Sequence, residues 1–564
     1  MAAPHDNNPR SIVSISRVVS VHPKLVVQPQ RVLILSNLDR QCPNLMHLVF
    51  FYNNMPHQML KDLSLNSVFS SLKSGLEETL TLWYPGAGRL RPNQSDGKLN
   101  LWCNNQGAVL AEAETSVEIS QLGNLSEYNE FFEKLVYKPA FDGNFSNMPL
   151  IVAQVTKFGC GGYSIGIGTS HSLFDGPATY DFLSMWASNS EIVKGRNRSY
   201  DELPKPVHER GILLSGGSLQ VPRGTAKFSS DTTLNAKKAT AMAIDHLYQL
   251  IMQTAASGQK GFPLQIGGPS YPKKCALKTY HFSGAMIEDL KRKHFPMQRG
   301  SLPFSTFEVL AAHLWKARTK ALGVKKEKVV CLQFAVDIRN KMSPPLPKSF
   351  SGNAYVLASI MMAVTELEHA SIELIIHKIR EAKNSVSHSY VKGYVEALEG
   401  ASQQQQQQSS SSSTSLPPLK ELTLVSDWTR MPFHNVEFFG GNKASYACPL
   451  ATPIPHVAYF MQSPSDHKGV DVRIGFEPET ISAFTKCFLE GFPSHPTLHY
   501  RRFFLSNMGN PLHSMPASLS AARRSTALPS SNSAFSFSRL SDSPPGVRNR
   551  QEIRGTYLTA RKAS

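Results

Sequence analysis

The sequence lacks the features that mark a membrane-spanning or secreted protein. No uninterrupted apolar run reaches the roughly 20 residues that a transmembrane helix needs, and residues 1–9 lack the basic and apolar regions of a secretory signal. The seven cysteines are an odd number and include no Cys-x-x-Cys pair, which argues against a disulfide framework and a zinc site. We therefore predict a cytosolic protein with no metal and no transmembrane segment; association with the surface of the endoplasmic reticulum is the alternative.

Acidic residues are also scarce relative to basic ones. The chain has 42 Asp and Glu against 59 Lys and Arg, a net charge of +17, and such an excess raises the question of nucleic-acid binding. Ten basic and two acidic residues within 497–564 supply +8 of this charge, so the preceding body carries +9. Because nearly half of the excess lies in one terminal segment, we predict no nucleic-acid partner.

The composition predicts a large folded body with polar segments attached to it. A chain of 564 residues, 41% of them apolar, is long enough for two or more domains. Residues 497–564 are rich in Ser, Pro and Arg and have no sustained apolar period, which predicts a disordered basic tail. This tail is a regulatory appendage, an extension read from non-coding sequence, or a basic membrane anchor. The other predicted segments are a flexible N-terminus at 1–11, an N-terminal domain at 12–230, a linker at 231–278, and a C-terminal domain at 279–496 that contains a disordered Gln- and Ser-rich loop at 401–416.

Hydrophobic periodicity predicts alternating helices and strands, which is typical of an α/β fold. A stripe of apolar residues predicts an amphipathic helix over 64–82, ended by Pro85 and Gly86. The other predicted elements are helices at 285–294, 304–321 and 372–386 and strands at 329–336, 356–363, 456–461 and 469–476.

One histidine lies where a strand ends and a helix begins. Residues 149–158 and 163–169 have the pattern of two strands joined by a glycine-rich turn, and His171 follows the second strand. Asp175 precedes Gly176 and Pro177, a pair typical of a helix start. A histidine on such a turn can present a ring nitrogen to a cleft and act as a general base. Taken alone, the spacing is more typical of a helix-capping aspartate beside an incidental histidine.

The stretch from His171 to Gly176 resembles the His-x-x-x-Asp signature of the plant BAHD acyl-CoA-dependent acyltransferases. Further motifs of that family occur in the family's order over residues 12–490. In amino-acid sequence they are most similar to those of the brassinosteroid-related acyltransferases. These motifs are Leu35-Ser-Asn-Leu-Asp39, Tyr84-Pro-Gly-Ala-Gly-Arg-Leu90, Ser305-Thr-Phe-Glu-Val-Leu-Ala-Ala-His-Leu-Trp315, Val336-Asp-Ile-Arg339, Gly352-Asn353 and Ser426-Asp-Trp-Thr-Arg-Met-Pro432.

The resemblance implies a two-domain α/β architecture like that of chloramphenicol acetyltransferase, in which each domain is a mixed β-sheet covered by helices and a channel runs between them. It implies acyl transfer from coenzyme A to a hydrophobic plant alcohol, with a steroid suggested as the acceptor. Acyl-CoA is then a co-substrate, no cofactor is bound permanently, and the protein is a monomer. The milder positive charge of the body suits the phosphates of coenzyme A, and a solvated basic surface is the alternative.

The resemblance also assigns roles to individual residues. His171 is the general base, and Ser426 and Trp428 line the site of the oxyanion. Asp175 supports the turn by pairing with an arginine, for which Arg339 is the candidate. The residues expected on the coenzyme side are Ser305, Thr306, Glu437, Gly440 and Gly441.

One altered motif and one motif of another enzyme class raise alternatives. The family's Asp-Phe-Gly-Trp-Gly motif is Glu437-Phe-Phe-Gly-Gly441 here, so the chain is alternatively a non-catalytic accessory protein of very-long-chain fatty-acid elongation. Gly162-Tyr-Ser164-Ile-Gly166 matches the nucleophile elbow of serine hydrolases, but that motif needs a sharp strand-to-helix turn and Ser164 lies within a predicted strand. Bacterial chloramphenicol acetyltransferases and peptide-synthetase condensation domains carry a second histidine immediately before the first. Residue 170 is serine here, which favours the plant family.

Overall fold

The computed structural model describes residues 13–26, 29–41, 45–56, 58, 63–140, 144–190, 192, 204–214, 276–294, 304–407, 421–450, 457–490 and 492. The predicted N-terminus at 1–11 and the predicted tail at 497–564 lie outside the described residues. Most of the predicted linker at 231–278 does so too.

The described residues form two mixed six-stranded sheets and one small sheet. The strands are β1 Ser14–Val21, β2 Arg31–Leu33, β3 Leu45–Tyr52, β4 Arg89–Pro92, β5 Leu99–Cys103, β6 Ala108–Glu114, β7 Ile151–Lys157, β8 Tyr163–Ser170, β9 Ala276–Phe282, β10 Val329–Asp337, β11 Tyr355–Ala363, β12 Leu422–Asp427, β13 Tyr446–Leu450, β14 Val457–Gln462 and β15 Val470–Phe476. The first sheet has the order β1-β6-β7-β8-β3-β13, the second β11-β10-β12-β14-β15-β9, and the small sheet β2-β5-β4.

Helices pack against both six-stranded sheets. They are α1 Leu65–Leu82, α2 Gly176–Asn189, α3 Gly284–His294, α4 Thr306–Ala321, α5 Val364–His369, α6 Ile372–Ser385, α7 His388–Gln407 and α8 Pro478–Phe488. Short 3₁₀ turns lie at Asp39–Gln41, Tyr84–Ala87, Ile119–Leu122, Glu130–Leu135, Phe145–Asn147, Gly211–Leu213 and Phe433–Asn435. The predicted α/β class with two mixed sheets is confirmed.

Each sheet has its own hydrophobic core. Side chains of α1, α2 and the first sheet form one core, in which the fully buried Trp186 donates its indole N–H to the carbonyl of Leu72 at 2.9 Å. A second, larger core lies between one face of the second sheet and its helices. The opposite face of the second sheet carries a smaller apolar cluster that includes Cys331, Leu422 and Tyr459.

The amphipathic pattern located the helices well. Ser64 caps α1 by accepting a hydrogen bond from the amide of Ser67 at 3.1 Å, which confirms the helix expected over 64–82. The helices expected at 285–294, 304–321 and 372–386 are α3, α4 and α6, and each predicted bound lies within two residues of the observed one.

Two features differ from the segments predicted along the chain. Helix α7 continues to Gln407, so the first part of the loop predicted at 401–416 is helical, because glutamine is a good helix former and extends the helix that precedes it. Strand β13 comes late in the sequence, yet it pairs antiparallel with β3 at the edge of the first sheet. The predicted domain boundaries stay a prediction.

Candidate active site

His171 is the first residue after strand β8. Its side chain is partly exposed, and its ring meets the ring of Tyr355 edge-on, with centroids 5.9 Å apart. Its carbonyl oxygen accepts a hydrogen bond of 2.6 Å from the side-chain amide of Asn353. His171 is therefore partly accessible, while its backbone is held by the segment that leads into β11.

Asp175 points into the protein and away from solvent. Its Oδ1 accepts a hydrogen bond from the amide of Ala178 at 3.0 Å and caps α2. Its Oδ2 lies 2.9 Å from Nη2 of Arg339 and accepts from the amide of Ala354 at 3.1 Å. Burial raises the pKa of Asp175, and the guanidinium of Arg339 opposes that rise. The structure thus brings the predicted pair together, with the carboxylate bonded to α2, to Arg339 and to the start of β11.

A second buried ion pair supports the same segment. Asp39 and Arg210 are 0% exposed and lie 3.0 Å apart, and Asp39 also accepts hydrogen bonds from the backbone and side-chain amides of Asn353 at 2.9 and 3.2 Å. Burial works against the charged carboxylate, but Arg210 and the amide of Asn353 together hold the pKa of Asp39 below its usual value. Asn353 therefore bridges this ion pair to the carbonyl of His171.

Sequence reasoning did not find this bridge. In the sequence, the motif containing Asp39 and the pair Gly352-Asn353 are family landmarks without an assigned role, and no motif includes Arg210. A β-carbon on Gly352 would lie 2.8 Å from Cζ of Arg210, so only glycine fits beside the ion pair. The glycine and the buried acid were the available signals, but their partner is 171 residues from Asp39 in the sequence.

Ser426 and Trp428 lie together at the end of β12. The indole N–H of Trp428 donates to Oγ of Ser426 at 2.9 Å, both side chains are partly exposed, and the ring of Trp428 packs edge-on against Phe433 and Tyr459. Since Oγ already accepts the indole hydrogen, the serine hydroxyl is oriented to donate its own hydrogen elsewhere.

The segment after Trp428 packs onto the helix that follows His171. A β-carbon on Gly176 would lie 2.7 Å from Sδ of Met431, and the rings of Tyr180 and Phe433 meet edge-on at 5.7 Å. The end of β12 and the start of α2 are therefore in contact, which brings the Ser426 segment close to the His171 turn.

The residues expected on the coenzyme side lie in two places. Ser305 caps α4, accepting from the amide of Glu308 at 3.2 Å while the Glu308 carboxylate accepts from the amide of Ser305; Thr306 is the first residue of that helix. Glu437 is partly exposed and precedes two buried phenylalanines. Gly440 and Gly441 adopt φ of 57° and 86°, which favours glycine at both positions.

Other candidate groups are structural. Ser164 is fully buried as the second residue of β8 and pairs with Phe51 and Thr156 of neighbouring strands, so it is not at a strand-to-helix turn and is not on a nucleophile elbow. Nε2 of His313 lies 2.7 Å from the carbonyl of Phe488, and burial lowers the pKa of this histidine to about 4. Within the part of the chain that the structure describes, no cluster of His, Cys, Asp or Glu could hold a metal ion. None of the described helices has both the length and the apolar character needed to span a lipid bilayer.

Comparison with known proteins places this chain in a family. A family model described as the transferase family matches residues 13–215 and 225–490. Brassinosteroid-related acyltransferase 1 of Arabidopsis thaliana is 49% identical over 488 residues, which cover 85% of this chain and 98% of that protein. The chain belongs to the BAHD acyltransferase family. The family resemblance expected from the motifs is confirmed, and the chain is an acyl-CoA acyltransferase.

Solved structures share the BAHD fold. The crystal structure of vinorine synthase matches with a TM-score of 0.58 at 19% identity, covering 84% of this chain and 96% of that one. The structure of F. graminearum TRI101 complexed with coenzyme A and T-2 mycotoxin matches with a TM-score of 0.56 at 13% identity, covering 80% and 96%. At these identities the matches establish the fold, and they agree with the two mixed sheets described above.

The altered BAHD motif has a clear packing explanation. Phe439 stands where the family has glycine, and its ring packs against those of Tyr52 and Tyr163 at 4.9 and 5.3 Å between centroids. The hydroxyl of Tyr52 donates to the carbonyl of Val436 at 2.8 Å. The segment is thus anchored against the first sheet by aromatic packing.

Proposed function

We propose that this enzyme transfers an acyl group from a coenzyme A thioester to a hydroxyl group of a hydrophobic plant alcohol. The proposed acceptor is a brassinosteroid, whose acylation would inactivate a hormone, and His171 is the general base. The observation that carries the proposal is the position of His171, partly exposed beside Tyr355 while its carbonyl is held by Asn353. The name of the relative at 49% identity supports the choice of acceptor.

In the proposed reaction, His171 removes the proton of the acceptor hydroxyl as its oxygen attacks the thioester carbonyl. The tetrahedral intermediate then collapses, the carbon–sulfur bond breaks, and the leaving thiolate takes the proton from the imidazolium. General-base catalysis of this kind contributes about 10²- to 10⁴-fold in rate. No covalent acyl-enzyme is formed, and the products are the ester and free coenzyme A.

Ser426 is the proposed donor to the oxyanion of that intermediate. Its Oγ accepts from the indole of Trp428, so the hydroxyl hydrogen is free to point towards developing negative charge. Removing one such donor costs other enzymes about 10²- to 10³-fold in kcat. Asp175 has a structural role in this scheme, since its oxygens are bonded to Arg339, Ala178 and Ala354.

Ser305, Thr306, Glu437, Gly440 and Gly441 are proposed to support coenzyme A, and the active form is proposed to be a monomer in the cytosol. The change to Glu-Phe-Phe-Gly-Gly bears on coenzyme affinity more than on the chemical step. The same change is what keeps the accessory role in fatty-acid elongation as the second candidate function, because it alters a signature motif.

A thiol-release assay separates the two functions. Purified protein is given a panel of acyl-CoAs with brassinosteroid, phenolic and amine acceptors, and free coenzyme A and ester are measured. We expect release with a steroid alcohol, at least a 10²-fold loss in His171→Ala, and full activity in His467→Ala, which changes an exposed histidine in the turn before β15. Absence of release with every pair would refute the transferase role and favour a binding-only protein.

A further inference from the structure

A cavity of about 590 Å³ lies in the layer of helices that covers the second sheet. Its lining residues come from α3, the second half of α4, the end of α5, the start of α6 and the end of α8 with the residues after it. Cavities that bind small molecules in proteins have volumes of roughly 300–1,000 Å³, so this one is large enough for a ligand. We call it the helical-layer cavity.

The helical-layer cavity is separate from the proposed active site. Among the described residues that line it, none belongs to the set assigned to the base, the oxyanion or coenzyme A. The coenzyme residue Thr306 is the first residue of α4, whereas the lining residues Lys316 and Lys320 are near the end of that helix. At 1.5 Å per residue, the ten residues from Thr306 to Lys316 span about 15 Å. A ligand in this cavity therefore leaves the proposed active site open.

The floor of the cavity is apolar. It is formed by the buried side chains of Leu290, Ala317, Leu367 and Ile372 and by the partly exposed Phe492. The ring of His313 also lines the cavity, where it stacks on the ring of Phe488 with centroids 5.2 Å apart. This histidine is neutral near pH 7, because burial lowers its pKa to about 4. The floor therefore suits a hydrocarbon chain.

Charged side chains surround this floor, and lysines are in excess among them. The lining residues include Lys293, Lys316 and Lys320 together with Asp289, Glu368 and Glu490. Glu490 pairs with Lys320 at 3.5 Å, and Glu368 pairs with Lys326 at 3.6 Å. The charges left after these two pairs are two lysines and one aspartate, so one positive charge remains.

The pKa of His294 agrees with this sign. His294 lines the cavity; burial lowers its pKa, and the ammonium groups of Lys293 and Lys316 lower it further. The charges that act most strongly on this residue are therefore positive. Lys316 also donates hydrogen bonds to the carbonyls of Glu368 and Ala370, which hold its ammonium group at the cavity. An apolar floor with ammonium groups beside it is complementary to an apolar molecule with one negative end.

We propose that the helical-layer cavity binds an aliphatic carboxylate, namely a medium- or long-chain fatty acid. The hydrocarbon chain lies on the apolar floor, and the carboxylate accepts hydrogen bonds from the ammonium groups of Lys293 and Lys316. Hydrogen bonds between an ammonium group and a carboxylate are charge-assisted and about twice as strong as neutral ones. This binding site is independent of the acyl-transfer function proposed above, and its test needs no turnover.

Cys487 makes binding at this cavity measurable. It lines the cavity and is partly exposed, whereas Cys160 is exposed in the turn between β7 and β8. Full-length protein is treated with N-ethylmaleimide, with and without dodecanoate below its micelle concentration, and the alkylation of both cysteines is followed by peptide mass spectrometry. At a dodecanoate concentration ten times the Kd, we expect alkylation of Cys487 to slow by about tenfold, because the unoccupied fraction falls by that factor. Alkylation of Cys160 should not change.

A charge reversal tests the proposed contact with the carboxylate. Lys293→Glu should raise the dodecanoate Kd by about tenfold, since a charge-assisted hydrogen bond is replaced by repulsion. Lys392→Glu makes the same change in net charge at an exposed residue of α7 that does not line the cavity, and should leave the Kd unchanged. Dodecyltrimethylammonium, which has the same chain and the opposite charge, should not protect Cys487.

Four results would overturn the inference. The first is alkylation of Cys487 that dodecanoate does not slow. The second is equal protection by dodecyltrimethylammonium, which would show an apolar cavity without preference for an anion. The third is a dodecanoate Kd that is the same in Lys293→Glu as in the wild type. The fourth is a Cys487 that reacts in urea but not in the folded protein without ligand, because the cavity would then be closed.

Discussion

The ion pair between Asp175 and Arg339 offers a direct measure of what holds the His171 turn. The Asp175 side chain is 3% exposed and the Arg339 side chain 9%, and Oδ2 of Asp175 lies 2.9 Å from Nη2 of Arg339. Replacing Arg339 with Met leaves the carboxylate buried with the amides of Ala178 and Ala354 but without its counter-ion. Breaking a buried pair from one side costs about 3–5 kcal/mol of unfolding free energy, and we expect Arg339→Met to fall in that range.

The pH dependence gives the prediction a sign. Burial already raises the pKa of Asp175, and the guanidinium of Arg339 opposes the rise, so Arg339→Met should raise this pKa further. A carboxyl whose folded-state pKa lies above its unfolded value loses stability as pH rises through the folded pKa. The loss of unfolding free energy in Arg339→Met relative to wild type should therefore be smaller at pH 5 than at pH 8, where the uncompensated carboxylate is charged.

Urea unfolding and steady-state kinetics together test this reasoning. Adding Asp175→Asn to Arg339→Met should recover part of the lost unfolding free energy, since the uncompensated charge is removed, whereas kcat stays low because the turn loses its anchor. Lys392→Met, which removes one partner of an exposed pair with Glu396, should change neither quantity measurably. A single Arg339→Met variant as stable as wild type at pH 8 would show that the pair does not hold the fold, and the structural role of Asp175 would have to be given up.

Three further predictions follow from particular contacts. Gly352→Ala should lower unfolding free energy by about 1–3 kcal/mol in urea titrations, because its β-carbon meets the buried Arg210 guanidinium, whereas Gly393→Ala in α7, with nothing within 4 Å, should not destabilise. His281 lies 2.7 Å from Asp471, whose hydrogen bond raises the pKa of the histidine; its stabilising contribution should be full below about pH 6.5 and be lost as pH rises through the folded pKa, a dependence absent in His281→Gln melting curves. Deleting residues 497–564, which lie beyond the family match ending at 490, should leave thiol release unchanged, and loss of activity would contradict the view of the tail as an appendage.

Local sequence patterns predicted what local chemistry determines. Asp175 followed by glycine and proline indicated a helix cap, and the cap is present. The predicted strands and helices match because each depends on apolar periodicity within one segment. The choice of Arg339 as partner of Asp175 came from family resemblance, since 164 residues separate them and periodicity contains no information about such a distance.

What the sequence could not show is how separate segments meet. The pairing of β13 with β3 and the contact of Asp39 with Asn353, 314 residues away, depend on how the two sheets pack. Nor does the sequence indicate that the buried side-chain amide of Gln333 has no hydrogen-bond partner among the described residues, because a glutamine within an apolar strand is noteworthy only when both of its neighbours in the sheet are known. Buried polar groups acquire meaning from their partners, and partners are a property of the fold.

The two buried acids explain why the position of His171, the proposed base, does not depend on its own turn alone. Asp39 and Asp175 come from the first half of the chain, and both bind the four-residue segment from Gly352 to Tyr355, through Asn353 and Ala354. The same segment bonds the carbonyl of His171 through Asn353 and contacts its ring through Tyr355. The position of His171 is thus fixed relative to the second sheet, on which Ser426 lies. A general base and an oxyanion donor that act on one carbonyl must be held within a fraction of an ångström of each other. Anchoring both proposed groups to the second sheet provides this precision. The buried ion pairs Asp175–Arg339 and Asp39–Arg210 are needed because the turn of His171 belongs to the first sheet, and they tie that turn to the second.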